Sequence, residues 1–268
     1  MQITRFVAAA TLAAAFLAPV CAQTPTPGYH TVACFKVKPD MGAAFRKYAA
    51  DEVHKIAQGR VDSGEISTFY LLRAVFPQGQ ASECDYLAVA MFPGMPHLLG
   101  PEELSAAIKK SGLSITPEDY VNHRNAVATL VSAEVFQNQA FVGHANKGDY
   151  FQINYMRVSD ASTGDYINWE KKIWQPLAEA YLKDGKRTGW SLNLRVMPSG
   201  SDLPYQAVTV DIFSSLDAVF ADDTQFYDRF KKAHPDMELG TTFEQYEKLR
   251  ARALVKLFVL EDLVTASK

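Results

Sequence analysis

The sequence predicts an α+β protein: two tandem strand-helix-strand-strand-helix-strand units that close on each other within one chain, as an intramolecular pseudo-dimer. Three observations predict it. Sliding the chain by 121 residues brings its halves into step, with nine identities between residues 35–92 and 156–213, among them Gly64/Gly185, Leu71/Leu192, Pro77/Pro198 and Phe92/Phe213. Aromatic residues also match by class: Phe45 with Tyr166, Tyr48 with Trp169, Phe69 with Trp190. A second register, offset by 126, pairs Thr116 with Thr242, Tyr120 with Tyr246 and Arg124 with Arg250. Self-similarity at a fixed spacing marks a repeated structural unit.

The elements follow in order. Residues 29–38 and 150–158 read as strands, because β-branched and aromatic residues alternate with polar ones. A helix comes next in each half. Phe45, Tyr48, Val53, Ile56 and Ala57 form one stripe, and Tyr166, Trp169, Ile173, Leu177 and Tyr181 form the other. Asp40 and Ser162 are expected as N-caps, with Gly64 and Gly185 as left-handed stops. Strands are expected near 66–76 and 84–92, then 188–197 and 205–213, with turns at Pro77-Gln78-Gly79 and Pro198-Ser199-Gly200. Short helices are expected over 101–111 and 224–233. Thr116-Pro117-Glu118-Asp119 opens one second helix and Thr242 the other. Last strands are expected over Thr129–Phe136 and Ala253–Asp262.

The N-terminus reads as an export signal. Arg5 supplies a positive charge, Phe6–Ala18 an apolar stretch too short to span a bilayer, and Val20-Cys21-Ala22 a small-residue cleavage site. The domains are therefore residues 1–22 as signal peptide, 23–28 as linker, 29–140 as the first unit and 141–268 as the second. Lipoprotein processing would use Cys21, but Ala18-Pro19-Val20 lacks the usual small residue just before it. The expected location is periplasmic or secreted, without a membrane span in the mature chain. Removal of Cys21 leaves Cys34 and Cys84, an even pair that suggests one disulfide in an oxidising compartment; two buried thiols are the alternative. Hydrophobic residues make up 48% of the chain and charged ones 21%, which excludes a disordered chain, and a net charge of −3 offers no basic surface for nucleic acid.

The element order is that of a ferredoxin-like split βαβ unit, which leaves one sheet face open for a second copy. On that order and the duplication, the chain resembles a tandem member of the dimeric α+β-barrel superfamily, in its NIPSNAP-like and antibiotic-biosynthesis-monooxygenase-like branches. The resemblance implies an internal pseudo-dimer, hence a monomer. It also implies chemistry without a cofactor as one option, since quinone-forming members need none. Haem-degrading members combine a first-strand Asn, a Trp and an iron-ligating His on the second helix. Here Asn154 stands on the first strand of one half and His123 on the second helix of the other, so neither half carries the set.

Motifs for zinc, phosphate loops, dinucleotides and serine nucleophiles are missing, and none of the six histidines is three or four residues from another. No metal or cofactor is expected. If the apolar face of each strand meets the helices, then Asn154, Asn193, Arg195, Thr209 and Asp211 point into the barrel. Their counterparts are Ala33, Leu72, Ala74, Ala88 and Ala90, so one half would line a cavity with polar groups and the other would leave room. Arg195 and Asp211 have opposite charges; either is costly to bury alone, so the expectation is that they pair or meet a bound ligand. Tyr70, Phe76 and Tyr86 would complete the wall. His54, beside Asp51 and Glu52, reads as an exposed helix histidine or a general base. The expected function is binding of a small organic ligand in the barrel. The alternatives are a cofactor-independent monooxygenase or isomerase, and an interaction module without a pocket.

Overall fold

A computed structural model describes residues 28–96 and 100–266. The expected signal peptide, and all but Gly28 of the linker, lie outside the described residues. The first half runs β1 (Tyr29–Val37), α1 (Gly42–Tyr48), α2 (His54–Asp62), β2 (Thr68–Phe76), β3 (Tyr86–Phe92), α3 (Pro101–Lys110), α4 (Pro117–Val127) and β4 (Ala128–Gly143). The second runs β5 (Tyr150–Val158), α5 (Thr163–Trp169), α6 (Gln175–Lys183), β6 (Gly189–Met197), β7 (Ala207–Phe213), α7 (Leu216–Phe220), α8 (Phe226–Ala233), α9 (Leu239–Leu249) and β8 (Arg250–Thr265).

All eight strands are antiparallel to their neighbours and follow the order β1-β3-β2-β8-β5-β7-β6-β4, with β4 returning to β1. No strand keeps an open edge. The closure depends on β4 and β8, each 16 residues long where 8 and 10 were expected. The first part of β4 pairs with β1 and its last part with β6. Likewise β8 begins on β5 and ends on β2. Each strand therefore serves a partner in both halves. The expected Thr129–Phe136 covers mainly the part of β4 on β1, whereas the expected Ala253–Asp262 already reaches both partners of β8 and stops short at each end.

Both faces of this sheet are covered except along the first parts of β4 and β8, where Thr129–Val131 and Ala251–Val255 are exposed. Inside the ring, Leu72, Leu87, Phe136, Phe151, Phe258 and Leu260 pack together. Outside, Phe45, Tyr48, Ile66 and Phe69 join α1 and α2 to the first half, while Tyr166, Leu177, Trp190 and Phe230 do the same in the second. At about 25 cal/mol per Å² of buried apolar surface, these three clusters supply the main stabilising term.

The helix ends follow local chemistry. Thr116 and Asp119 exchange hydrogen bonds as a capping box on α4, with Pro117 at the first helical position. Gly64 and Gly185, at φ +71° and +68°, make left-handed turns just after α2 and α6. Asp40 is not a cap: it sits at φ +63°, and Met41 occupies the N-cap position of α1. Ser162 holds the N-cap position of α5, but its side chain makes no capping bond. Thr242 lies inside α9, which begins at Leu239; its hydroxyl returns to the Glu238 carbonyl at 2.6 Å. A single π-helical turn separates α1 from α2 at Ala49–Val53, and another separates α5 from α6 at Glu170–Trp174. The two turns are 121 residues apart.

Candidate functional site

The ring encloses a cavity of about 100 Å³. Its wall is mostly apolar, with Tyr70, Val89, Phe151 and Val210 prominent. Its polar groups come from β1, β4 and β6. Asn138 Nδ2 donates to Asn193 Oδ1 at 3.2 Å, and Asn193 Nδ2 donates to Ser191 Oγ at 2.9 Å. His30, only 6% exposed, stacks on Phe136 at 5.3 Å. Burial lowers its pKa from 6.5 to about 4, so the ring is neutral at pH 7. Its Nδ1 has no hydrogen-bond partner among the described residues.

A wider cavity of about 440 Å³ abuts this one, sharing Val32, Leu87, Glu134 and Tyr155 with it. Arg195 lines this mouth. Its Nη1 pairs with Glu134 Oε1 at 2.8 Å, its Nη2 donates to the Tyr205 carbonyl, and its guanidinium lies 4.0 Å from the centre of the Tyr205 ring. The Tyr205 hydroxyl donates to the other oxygen of Glu134 at 2.6 Å. Cys34 and Cys84, also at the mouth, are joined by a disulfide with their Cα atoms 5.3 Å apart.

The sequence-derived polar strip is therefore two surfaces. Asn193 and Arg195 face inward from β6. Asn154, Thr209 and Asp211 face outward, because the inward positions of β5 and β7 hold Phe151, Ile153 and Tyr155, and Val208, Val210 and Ile212. The expectation placed every apolar strand face against helices. That holds for β6, whose Trp190 and Leu192 pack outward, but fails for β5 and β7. A strand buried on both faces cannot be oriented by alternation.

Arg195 and Asp211 lie on opposite faces and do not pair; Asp211 Oδ1 sits 2.8 Å from Arg187 Nη1 instead. Tyr70 reaches the interior as expected. Phe76 does not: it ends β2, is 55% exposed and meets Phe220 edge-on at 6.5 Å. Tyr86 also faces outward, packing on Phe45 at 4.4 Å.

The outward polar residues join a buried layer that the sequence reading missed. Asn154 Nδ2 donates to Asp211 Oδ2 at 3.1 Å. Arg187 covers the Tyr181 ring at 4.1 Å. Glu170, on the second π-helical turn, is 1% exposed. Tyr246 donates to its Oε1 at 2.6 Å and stacks on Trp169 at 3.9 Å. Burial raises the Glu170 pKa from 4.5 to about 7; the Asp211 charge adds to this, while the two tyrosine hydroxyls and Arg250 oppose it. Its Oε2 and the indole Nε1 atoms of Trp169 and Trp190 lack hydrogen-bond partners among the described residues. The available signal was the alignment itself, which sets Glu170 opposite Ala49 within an otherwise apolar stripe.

Among the described residues, no group of three or more His, Cys, Asp or Glu could hold a metal ion, and no helix is long and apolar enough to cross a membrane.

No protein-family model matches the chain, and no curated protein matches it. Solved structures do. A "putative monooxygenase" of Lactobacillus acidophilus superposes with a TM-score of 0.56 at 14% identity, over 90% of this chain and 96% of its own. A "putative monooxygenase" of Fusobacterium nucleatum gives 0.56 at 10% identity, over 89% and 94%. At such identities the likeness concerns the fold alone: mixed α+β, with eight antiparallel strands.

Proposed function

We propose that the chain is two tandem ferredoxin-like units fused into one intramolecular barrel, residues 29–140 and 141–268, and that this barrel binds a small organic molecule. The observation that carries the reading is the pair of abutting interior cavities, about 100 and 440 Å³, the inner one apolar and edged by His30, Asn193 and Ser191. An apolar wall with a few placed polar groups is the usual constitution of a ligand site. The inner cavity alone is smaller than the roughly 150 Å³ that accepts benzene. It suits the uncharged end of a ligand whose remainder occupies the mouth near Arg195 and Glu134. Among the proposed site residues, Asn193, Arg195 and Tyr70 act here, whereas Asn154, Thr209 and Asp211 belong to the outer layer.

The test is mass spectrometry of small molecules released when the purified protein is denatured. A single compound stoichiometric with the wild-type protein, and lost from Asn193→Leu, is the expected result. Equal recovery from both proteins would place the compound elsewhere.

A second reading, a cofactor-independent monooxygenase or isomerase, is supported by Glu170. A carboxyl whose pKa burial raises to about 7 exchanges its proton around neutral pH. The likeness to the two "putative monooxygenase" structures is consistent with it. Oxygen uptake with a panel of phenols, abolished in Glu170→Gln, would support this reading; no uptake across the panel counts against it.

We also place the mature protein outside the cytoplasm, cut after Ala22, as a monomer. The Cys34–Cys84 bridge supports an oxidising compartment, and a ring without open edges supports the monomer. An intact mass beginning at Gln23, and a monomeric sedimentation mass, are the expected observations.

A further inference from the structure

A different cleft, of about 340 Å³, opens where β2 pairs with β8, beneath the helical face that runs from α1 through the first π-helical turn into α2. Its floor is small and apolar, with Ala49 and Leu71. Its rim is charged. His54 Nδ1 lies 2.7 Å from Asp262 Oδ2, joining α2 to the strand that the other half contributes. The neighbouring Glu261 is held by Arg73. Both carboxylates are thus already paired. Arg46 and Lys147 also line the cleft, and neither makes an ion pair among the described residues. Tyr86 closes one side, with Arg46 beside it in the lining.

Counting Arg73 on Glu261, three fixed cations stand against two carboxylates, and the two without an ion pair, Arg46 and Lys147, face a concave, partly apolar surface. With Nδ1 engaged by Asp262, the nitrogen that His54 retains for a ligand is Nε2. The other half lacks this chemistry: Arg46, Ala49 and His54 correspond to Ile167, Glu170 and Gln175. We propose that the cleft binds a small organic acid, its carboxylate held by Arg46 and Lys147 and a second polar group by His54. This site is separate from the barrel interior and stands independently of it.

The test is calorimetric titration of the purified protein with benzoate and with its neutral analogue benzamide. Benzoate should bind one per chain, and benzamide at least tenfold more weakly. Arg46→Gln and Lys147→Gln should each weaken benzoate at least tenfold, and His54→Gln about threefold, without lowering the melting temperature. Asn193→Leu, inside the barrel, should leave benzoate affinity unchanged. The proposal is overturned if millimolar benzoate gives no binding, if benzamide binds as well, or if the Arg46 and Lys147 variants bind benzoate normally. Loss of binding in Asn193→Leu alone would overturn it too, by moving the anion to the barrel.

Discussion

The two halves share an element order and differ in what they bury. Beneath the first half's helices stand Ala33, Ala49, Phe69 and Ala90; the second half has Asn154, Glu170, Trp190 and Asp211 at the same positions. A parallel contrast lies inside the ring. Cys34 and Cys84 form a covalent tie, while their counterparts Tyr155 and Tyr205 form an edge-to-face pair with ring centres 4.6 Å apart. One half is packed and stapled. The other holds a polar network whose groups satisfy one another only in part. The two helix–sheet layers therefore differ in what they enclose, apolar side chains in the first half and partly unpaired polar groups in the second.

The largest expected effect falls on the stapled half. Reducing a cross-link between residues 50 apart restores loop entropy worth about 4 kcal/mol to the unfolded chain. Chemical denaturation with and without reductant should show a loss of that order; an unchanged midpoint would mean that packing alone holds the first half.

Next comes the polar half. Glu170 has a folded pKa of about 7 against 4.5 unfolded. Below pH 4.5 it is protonated in both states and carries no penalty. Between pH 4.5 and 7 only the unfolded chain loses the proton, so stability falls as pH rises, and about 3 kcal/mol stays lost above pH 7. Glu170→Gln should remove this dependence, leaving the variant more stable at pH 8 and comparable at pH 4. Equal pH profiles for the two proteins would show that the carboxyl is not held in its neutral form.

His30 gives a similar effect with the opposite pH sense. Its pKa falls from 6.5 to about 4 on folding. Above pH 6.5 the ring is neutral in both states. As pH drops from 6.5 to 4 the unfolded chain takes up the proton first, and about 3 kcal/mol of stability is lost. His30→Phe should flatten the acid limb of the stability curve; an acid limb unchanged from wild type would place the titration elsewhere.

The smallest effect concerns the tyrosine pair. Tyr155→Leu keeps most of the buried area and should cost about 1 kcal/mol, the usual worth of such an aromatic contact. A cost near that of disulfide reduction would show that the pair acts as a full substitute for the staple.

These contrasts also explain what could be read from the chain. The element order was legible because stripes such as Tyr166-Trp169-Ile173-Leu177 repeat at helical spacing, and because Gly64 and Gly185 mark matching stops. The lengths of β4 and β8 were not, since their far ends are buried by strands of the other half and no local pattern announces that pairing. The facing of β5 and β7 was not legible either. Val208 and Val210 look like a helix-packed face, yet the ring interior is an equally apolar place. That error moved Asn154, Thr209 and Asp211 to the wrong surface and separated Arg195 from Asp211. Glu170 escaped notice because a carboxyl on an amphipathic helix is ordinarily exposed, and only its place opposite Ala49 pointed the other way; its burial depends on Tyr246 and Trp169 packing there.

The barrel interior as a ligand site is tested most directly by a high-resolution crystal structure of the protein as purified. The expected result is continuous organic density in the inner cavity, within hydrogen-bond distance of the Asn193 amide and extending toward Arg195. A cavity closed by its own side chains, or holding separate water molecules alone, would contradict it.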